Sequence, residues 1–478
     1  MTMESYVGVK LLTVCGSLQA RSAQVVESLG IDVGHAAPDI APRNRPVNEP
    51  HAVEASRHPH THHQNEDAMH RDQLLHQLTD LDTLSDRDLV TNVMNVLTSP
   101  PTAEADSFLL HAPLELMARA ELLPSVDPSQ RYEARRRIVQ IASEWASRTP
   151  HVPTPTHRPI TSLPEAIAAG DPDEADRALV DLATHQTIDQ FVATAGNALL
   201  AHLGGAGHVA IFLDQLTRLQ RAPHSVITSG RALIRDLALH PDWIINWIDT
   251  SSPGTSRPAT TFLDVLANPP SAGDPGNNFI YPTMHVVDAD GMAAELLTIP
   301  TQSMSIDDAR RQLLRIAAMS MLQDDPTNAA YGWSHCLTMP QATLAVAPRT
   351  TDPGRAIAIA ATYVLGFRAT QSDTPLDLDW RPSYSGGEGR LLDADCDDAV
   401  ARAWHTEAPH LVERELATYA ATHPDAHLAK YTLACLHAAH ADPDAAPLFR
   451  AAATRLAIWW RAVDTHADPS QDDHPHDS

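Results

Sequence analysis

The sequence predicts a mainly α-helical protein, a large multi-helix domain preceded by a short βα fragment of flavodoxin-like type. From about Leu81 to Val463 apolar residues recur at helical spacing in an alanine-rich background. Alternating strand patterns are scarce, and aromatic residues make up only 5% of the chain. Proline punctuates the periodic segments at Pro124, Pro164, Pro172, Pro241, Pro409, Pro424 and Pro443, where it starts or stops helices instead of breaking them. No fixed repeat spacing appears, so a single helical domain is expected rather than a solenoid.

Taken in order, Val9-Lys10-Leu11-Leu12-Thr13-Val14 reads as a buried strand running into a Cys15-Gly16-Ser17 loop and a helix start. A strand feeding such a loop points backbone N–H groups at an anion, the usual way to hold a flavin phosphate. This βα fragment takes up residues 1–57. Residues 58–80 form a histidine-rich linker, with His58, His60, His62, His63, His70 and His76. It holds too few apolar residues to offset the cost of ordering, as does the acidic tail at 464–478. Within the helical domain at 81–463, Ser85 and Asp88 cap a helix running to about 98. In 305–322 the residues Ile306, Ala309, Leu313, Ile316, Ala317 and Met321 share one face. Further helices are expected at 131–145, 173–184, 188–203, 209–221, 229–239, 355–368, 411–422, 427–441 and 445–460.

Composition narrows the function. Lys+Arg 34 against Asp+Glu 60 leaves a net charge of −26, which repels phosphate backbones and anionic headgroups and argues against nucleic-acid or membrane-surface partners. The longest apolar run, at 356–367, is too short to span a bilayer. The N-terminus does not read as a signal peptide. Four cysteines without CxxC spacing fit a reducing cytoplasm.

Among motifs, Gly205-Ala206-Gly207-His208-Val209-Ala210 satisfies the dinucleotide pattern G-x-G-x-x-A. Helical spacing precedes it and no strand ending in an acid follows, so a kink between close helices is the favoured reading over a cofactor loop. No Gly-x-Ser-x-Gly elbow, phosphate-binding Walker loop or His-Glu-x-x-His is present. Cys336 is next to His335 in sequence, but neighbours on a helix diverge by about 100°, so they are no nucleophile–base pair. Histidine is the informative residue. His111, His208, His335 and His427 each lie in apolar helical surroundings, where a core role competes with a shared pocket. His423 and His427 have the i, i+4 spacing of metal ligands, but Pro424 between them makes His423 a cap outside the helix. No Glu-x-x-His pair accompanies them, and no metal ligand set is assigned.

The stretch from Cys15 to Gln24 resembles the start of NADPH-dependent FMN reductases, with Gly16, Ser17 and Ser22 on the phosphate loop and Gln19 and Gln24 departing from it. Residues 1–57 supply one βα unit where that fold uses about five strands, so the resemblance implies a truncated fragment with vestigial flavin contacts. Over residues 85–462 the chain resembles the questin oxidase-like family of helical proteins. The likeness rests on His111-Ala112-Pro113, His208, Pro241-Asp242-Trp243, His335-Cys336-Leu337-Thr338 and Asp425-Ala426-His427-Leu428-Ala429-Lys430, in that order; Cys336 and Met339-Pro340 depart from its pattern. It implies NADPH- and O₂-dependent, Baeyer–Villiger-type oxidation of a small, apolar, aromatic polyketide or quinone-like substrate. His335 and His427 then serve as base and oxyanion donor, with Thr338 and Lys430 in support and His111 and His208 in the same pocket. The helical domain has no convincing flavin or nicotinamide motif, so NADPH enters as cosubstrate and a separate flavin reductase is the expected partner. Two other classes stay open: a metal-dependent helical oxygenase with His335, His423 and His427 as ligands, and a non-catalytic helical protein that binds a ligand or partner. The spatial arrangement of the four histidines discriminates among them.

Overall fold

The computed structural model describes residues 81–466, except 82, 104, 220–223, 251–260, 277, 278, 373, 385, 387 and 388. The expected βα fragment with Gly16, Ser17 and Ser22, the histidine-rich linker and the tail from 467 onward lie outside the described residues. Among the described residues the regular elements are helices, and extended pairing is confined to isolated bridges between Pro101 and His151 and between His202 and Ile244.

Helices begin where side-chain caps allow. The Ser85 hydroxyl accepts from the Asp88 N–H and opens Asp86–Leu97. Thr187 and Gln190 form a reciprocal box ahead of Ile188–Leu199, and Asp425 accepts from Leu428 N–H to open Ala426–Ala441. Each cap satisfies a backbone donor that the first helical turn leaves bare. In Ile306–Gln323 the buried face includes Ala309, Leu313, Ile316, Ala317 and Met321, as the spacing predicts.

Proline explains the main departure from the sequence reading. Three prolines lie inside helices instead of at their ends: Pro113 in Ser107–Leu122, Pro300 in Met292–Ser303 and Pro340 in Ser334–Val346. None of these helices was in the expected set. An internal proline removes one donor and frees the carbonyl four residues earlier, a cost that tertiary packing must offset. The last helix, Ala446–His466, also runs past the expected boundary at 463.

Four segments close into a ring. Ser107–Leu122 packs against both Ala426–Ala441 and Val209–Arg218, and Ser334–Val346 packs against the same two. Arg119 locks one corner. Its fully buried guanidinium donates to the carbonyls of Ala420 (2.9 Å), Ala421 (2.8 Å) and His423 (2.6 Å) and pairs with Glu115 at 2.8 Å. The planar fork thus satisfies the carbonyl end of Pro409–Thr422 and fixes where Ala426–Ala441 begins. Two other buried arginines work alike, Arg231 with Asp176 (2.6 Å) and Arg368 with Asp324 (2.5 Å). No described helix is long and apolar enough to cross a membrane.

Candidate functional site

Each side of the ring contributes one imidazole to its middle. The His111 ring centroid is 4.5 Å from that of His208 and 4.4 Å from that of His427. The His335 centroid is 5.3 Å from His208 and 4.9 Å from His427. All four are buried, His208 completely.

Three of these rings are oriented by carbonyls of their own chain three or four residues earlier. His111 Nδ1–H donates to Ser107 O at 2.5 Å, His208 Nδ1–H to Gly205 O at 3.0 Å, and His335 Nδ1–H to Tyr331 O. A carbonyl oxygen only accepts, so the proton sits on Nδ1 and each Nε2 carries a bare lone pair. Local backbone makes this geometry. A π-turn at Ala329–Trp333, closed by Ser334 N–H on Ala329 O, precedes the His335 helix. Such turns shift the helical register and recur at functional sites.

Ahead of His208, Gly205, Ala206 and Gly207 all take left-handed backbone, at φ 59°, 52° and 67°. A Cβ on Gly205 would sit 2.1 Å from Leu233 Cδ1, and the Gly205 N–H donates to Asp236 Oδ2 at 2.6 Å. The G-x-G stretch is therefore a tight turn that follows helix Ile188–Leu199 and aims His208 inward.

The Nε2 atoms of His208 and His335 face each other at 3.2 Å, and His111 Nε2 is buried with no hydrogen-bond partner among the described residues. One ring nitrogen from each of the three lies within 4.8 Å of the other two. A tetrahedral ion with ligands at about 2.05 Å spaces its nitrogens by about 3.3 Å, so one pair already fits and the third closes with a modest shift. Burial first, then the nearby Lys430 and imidazoles (Lys430 ahead for His111 and His208, His427 ahead for His335), holds all three well below the ordinary histidine range, so they stay neutral and able to ligate.

The remaining predicted residues adjoin this trio. His427 faces the Asp425 carboxylate through Nδ1 at 3.3 Å and is edge-on to Tyr331, with centroids 4.8 Å apart. Lys430 Nζ is 3.4 Å from His208 Nε2, and burial pushes its ammonium down to about 7 against the pull of Asp425 and Glu115. Thr338 donates to Ser334 O at 2.9 Å. Thr338 and Lys430 line a cavity of about 20 Å³ together with Asp214 and His437. That is room for about one water molecule.

His423 is not part of the group. It caps Pro409–Thr422, accepts from the Asp425 N–H at 3.0 Å through Nδ1, and turns Nε2 to Asp464 at 3.2 Å. His423 thus stands apart from the alternative ligand set His335, His423 and His427, and the imidazoles that come together with metal-ligand spacing are those of His111, His208 and His335. His111, His208 and His335 were each named from the sequence as candidates for one pocket; spacing could not group them as a ligand set because they come from three separate segments. Asp425 and Tyr331 were missed; the N-cap position of Asp425, two residues before His427, was the available signal. Cys336 is buried and its thiol is pushed far up by burial, which leaves it no nucleophilic role. Comparison with protein-family models, curated proteins and solved structures finds no match.

Proposed function

We propose that this protein is an oxidoreductase of the oxygenase type whose buried centre takes a redox-active divalent metal, iron or copper, through His111, His208 and His335. The supporting observation is the convergence of three backbone-oriented imidazoles, one ring nitrogen of each within 4.8 Å of the other two, with the Nε2 atoms of His208 and His335 3.2 Å apart. Opposed lone pairs in a dry site repel unless a proton or cation lies between them, and imidazole nitrogens suit these metals. When bound, the metal supplies the activation of dioxygen.

The chain's own groups do the rest. The Nδ1–H bonds fix ring orientation, as outer partners of metal-binding histidines do. His427, held by Asp425, is the proton-transfer group beside the trio, and the Lys430 ammonium is the cation that can hold developing negative charge. Burial keeps bulk water from the reaction. The substrate class remains that implied by the resemblance: a small, apolar, quinone-like aromatic oxidised next to a carbonyl in a Baeyer–Villiger sense. NADPH supplies the electrons, through a separate flavin reductase.

One observation favours a metal-free variant of this chemistry: Lys430 Nζ lies within reach of the His208 Nε2 that a metal would need. Metal analysis of the purified protein, with NADPH and oxygen consumption measured on a polyketide-type quinone, decides. Stoichiometric iron or copper that is lost in His208→Ala supports the metal reading. Turnover without metal supports the variant. Neither metal nor turnover would return the histidines to a core role.

A further inference from the structure

An open groove of about 580 Å³ lies apart from the four clustered histidines, none of which lines it. Arg390, Arg414 and Arg461 stand around it, in a chain where acids outnumber bases 60 to 34. We propose that this groove is a binding site for a phosphate-bearing ligand of nucleotide size, independent of the histidine centre.

The acids on its wall are already engaged. Asp127 accepts from the Ser129 N–H (2.9 Å) and hydroxyl (2.6 Å), and Glu415 accepts from the N–H groups of Leu391 (3.3 Å) and Leu392 (3.1 Å). Arg461 pairs with Asp393 at 3.1 Å, and Arg390 stands 3.7 Å from Glu415. The Arg414 guanidinium makes no hydrogen bond or ion pair among the described residues. The groove therefore presents the Arg414 fork, which acts on Asp127 only at a distance, flanked by Arg461, paired with Asp393, and by Arg390, 3.7 Å from Glu415; guanidinium forks match phosphate oxygens bidentately. Leu411, 54% exposed on the same wall, gives the apolar part of such a ligand a surface to cover. The volume lies in the range of small-ligand sites. Overall charge cannot be the source of anion affinity here, since the chain as a whole repels anions.

Fluorescence anisotropy of the N-methylanthraniloyl derivative of ADP, titrated with the full-length protein, tests this. Saturable binding is expected, with displacement by inorganic pyrophosphate and by ADP. Equal displacement assigns the affinity to phosphate alone, whereas ADP acting at tenfold lower concentration adds a nucleoside contribution. Arg414→Glu should weaken binding at least tenfold and Arg414→Lys less. Arg158→Glu, the same charge change at an exposed arginine outside the groove, should leave it unchanged. No saturable binding by the native chain, or equal weakening by Arg158→Glu, overturns the proposal.

Discussion

His208 has no solvent exposure, and its Nε2 lies 3.2 Å from His335 Nε2 and 3.4 Å from Lys430 Nζ. Replacing it or His335 by alanine is expected to abolish stoichiometric metal binding, read by elemental analysis and by cobalt(II) absorption. Glutamine should not restore it, because an amide lacks the imidazole lone pair; stability repaired by glutamine with no metal in the native chain would mark a packing role instead. Two further buried groups set opposing pH dependences, His202 away from the cluster and Asp214 on the wall of the small cavity beside Lys430. Burial lowers His202 to about 4, so between there and its ordinary value near 6.5 the unfolded chain binds a proton that the folded one does not. Stability from His202 is present above that window and falls as pH drops through it, by up to about 3 kcal/mol. Burial raises Asp214 to about 6 against the pull of Arg218, so the folded state holds a proton that the unfolded state has released, and this group costs stability as pH rises from about 4 to 6. Denaturant unfolding across pH 4–6.5 should show a shallower acid loss for His202→Phe and a steeper one for Asp214→Asn.

Among the helices, those most visible in the sequence are the ones whose apolar period and caps agree, such as Asp86–Leu97 and Ile306–Gln323. Less visible are Ser107–Leu122 and Ser334–Val346, where Pro113 and Pro340 interrupt the pattern that a helix would show. These two carry His111 and His335. The histidines themselves stood out in apolar surroundings, but their convergence depends on helix packing that periodicity does not encode. Joints between helices are the vulnerable points. Arg119→Met should destabilise by about 3–5 kcal/mol, because it leaves three buried carbonyls without their donor and Glu115 with Arg137 alone. Gly205→Ala forces a Cβ onto Leu233 at φ 59° and should cost about 2 kcal/mol. It should also lower metal occupancy, since the turn it distorts aims His208; unfolding midpoints and metal content read the two effects separately.

For the molecule as a whole, a centre assembled from three helices couples binding to global stability. A metal at one hundred times its dissociation constant adds about 2.7 kcal/mol to the native state. Melting temperature should therefore rise by a few degrees when iron or copper is added to the metal-free protein, and should not respond in His208→Ala. The same assembly has a consequence in time. His111 and His335 are 224 positions apart in the chain (335 − 111), so at synthesis rates of about 5–20 residues per second, ten seconds or more pass between the first ligand and the last. His427, which completes the ring, follows later still. A growing chain thus exposes lone histidines long before the three can meet, and the closing of the trio is a sign that the segments carrying His111, His208 and His335 have found one another.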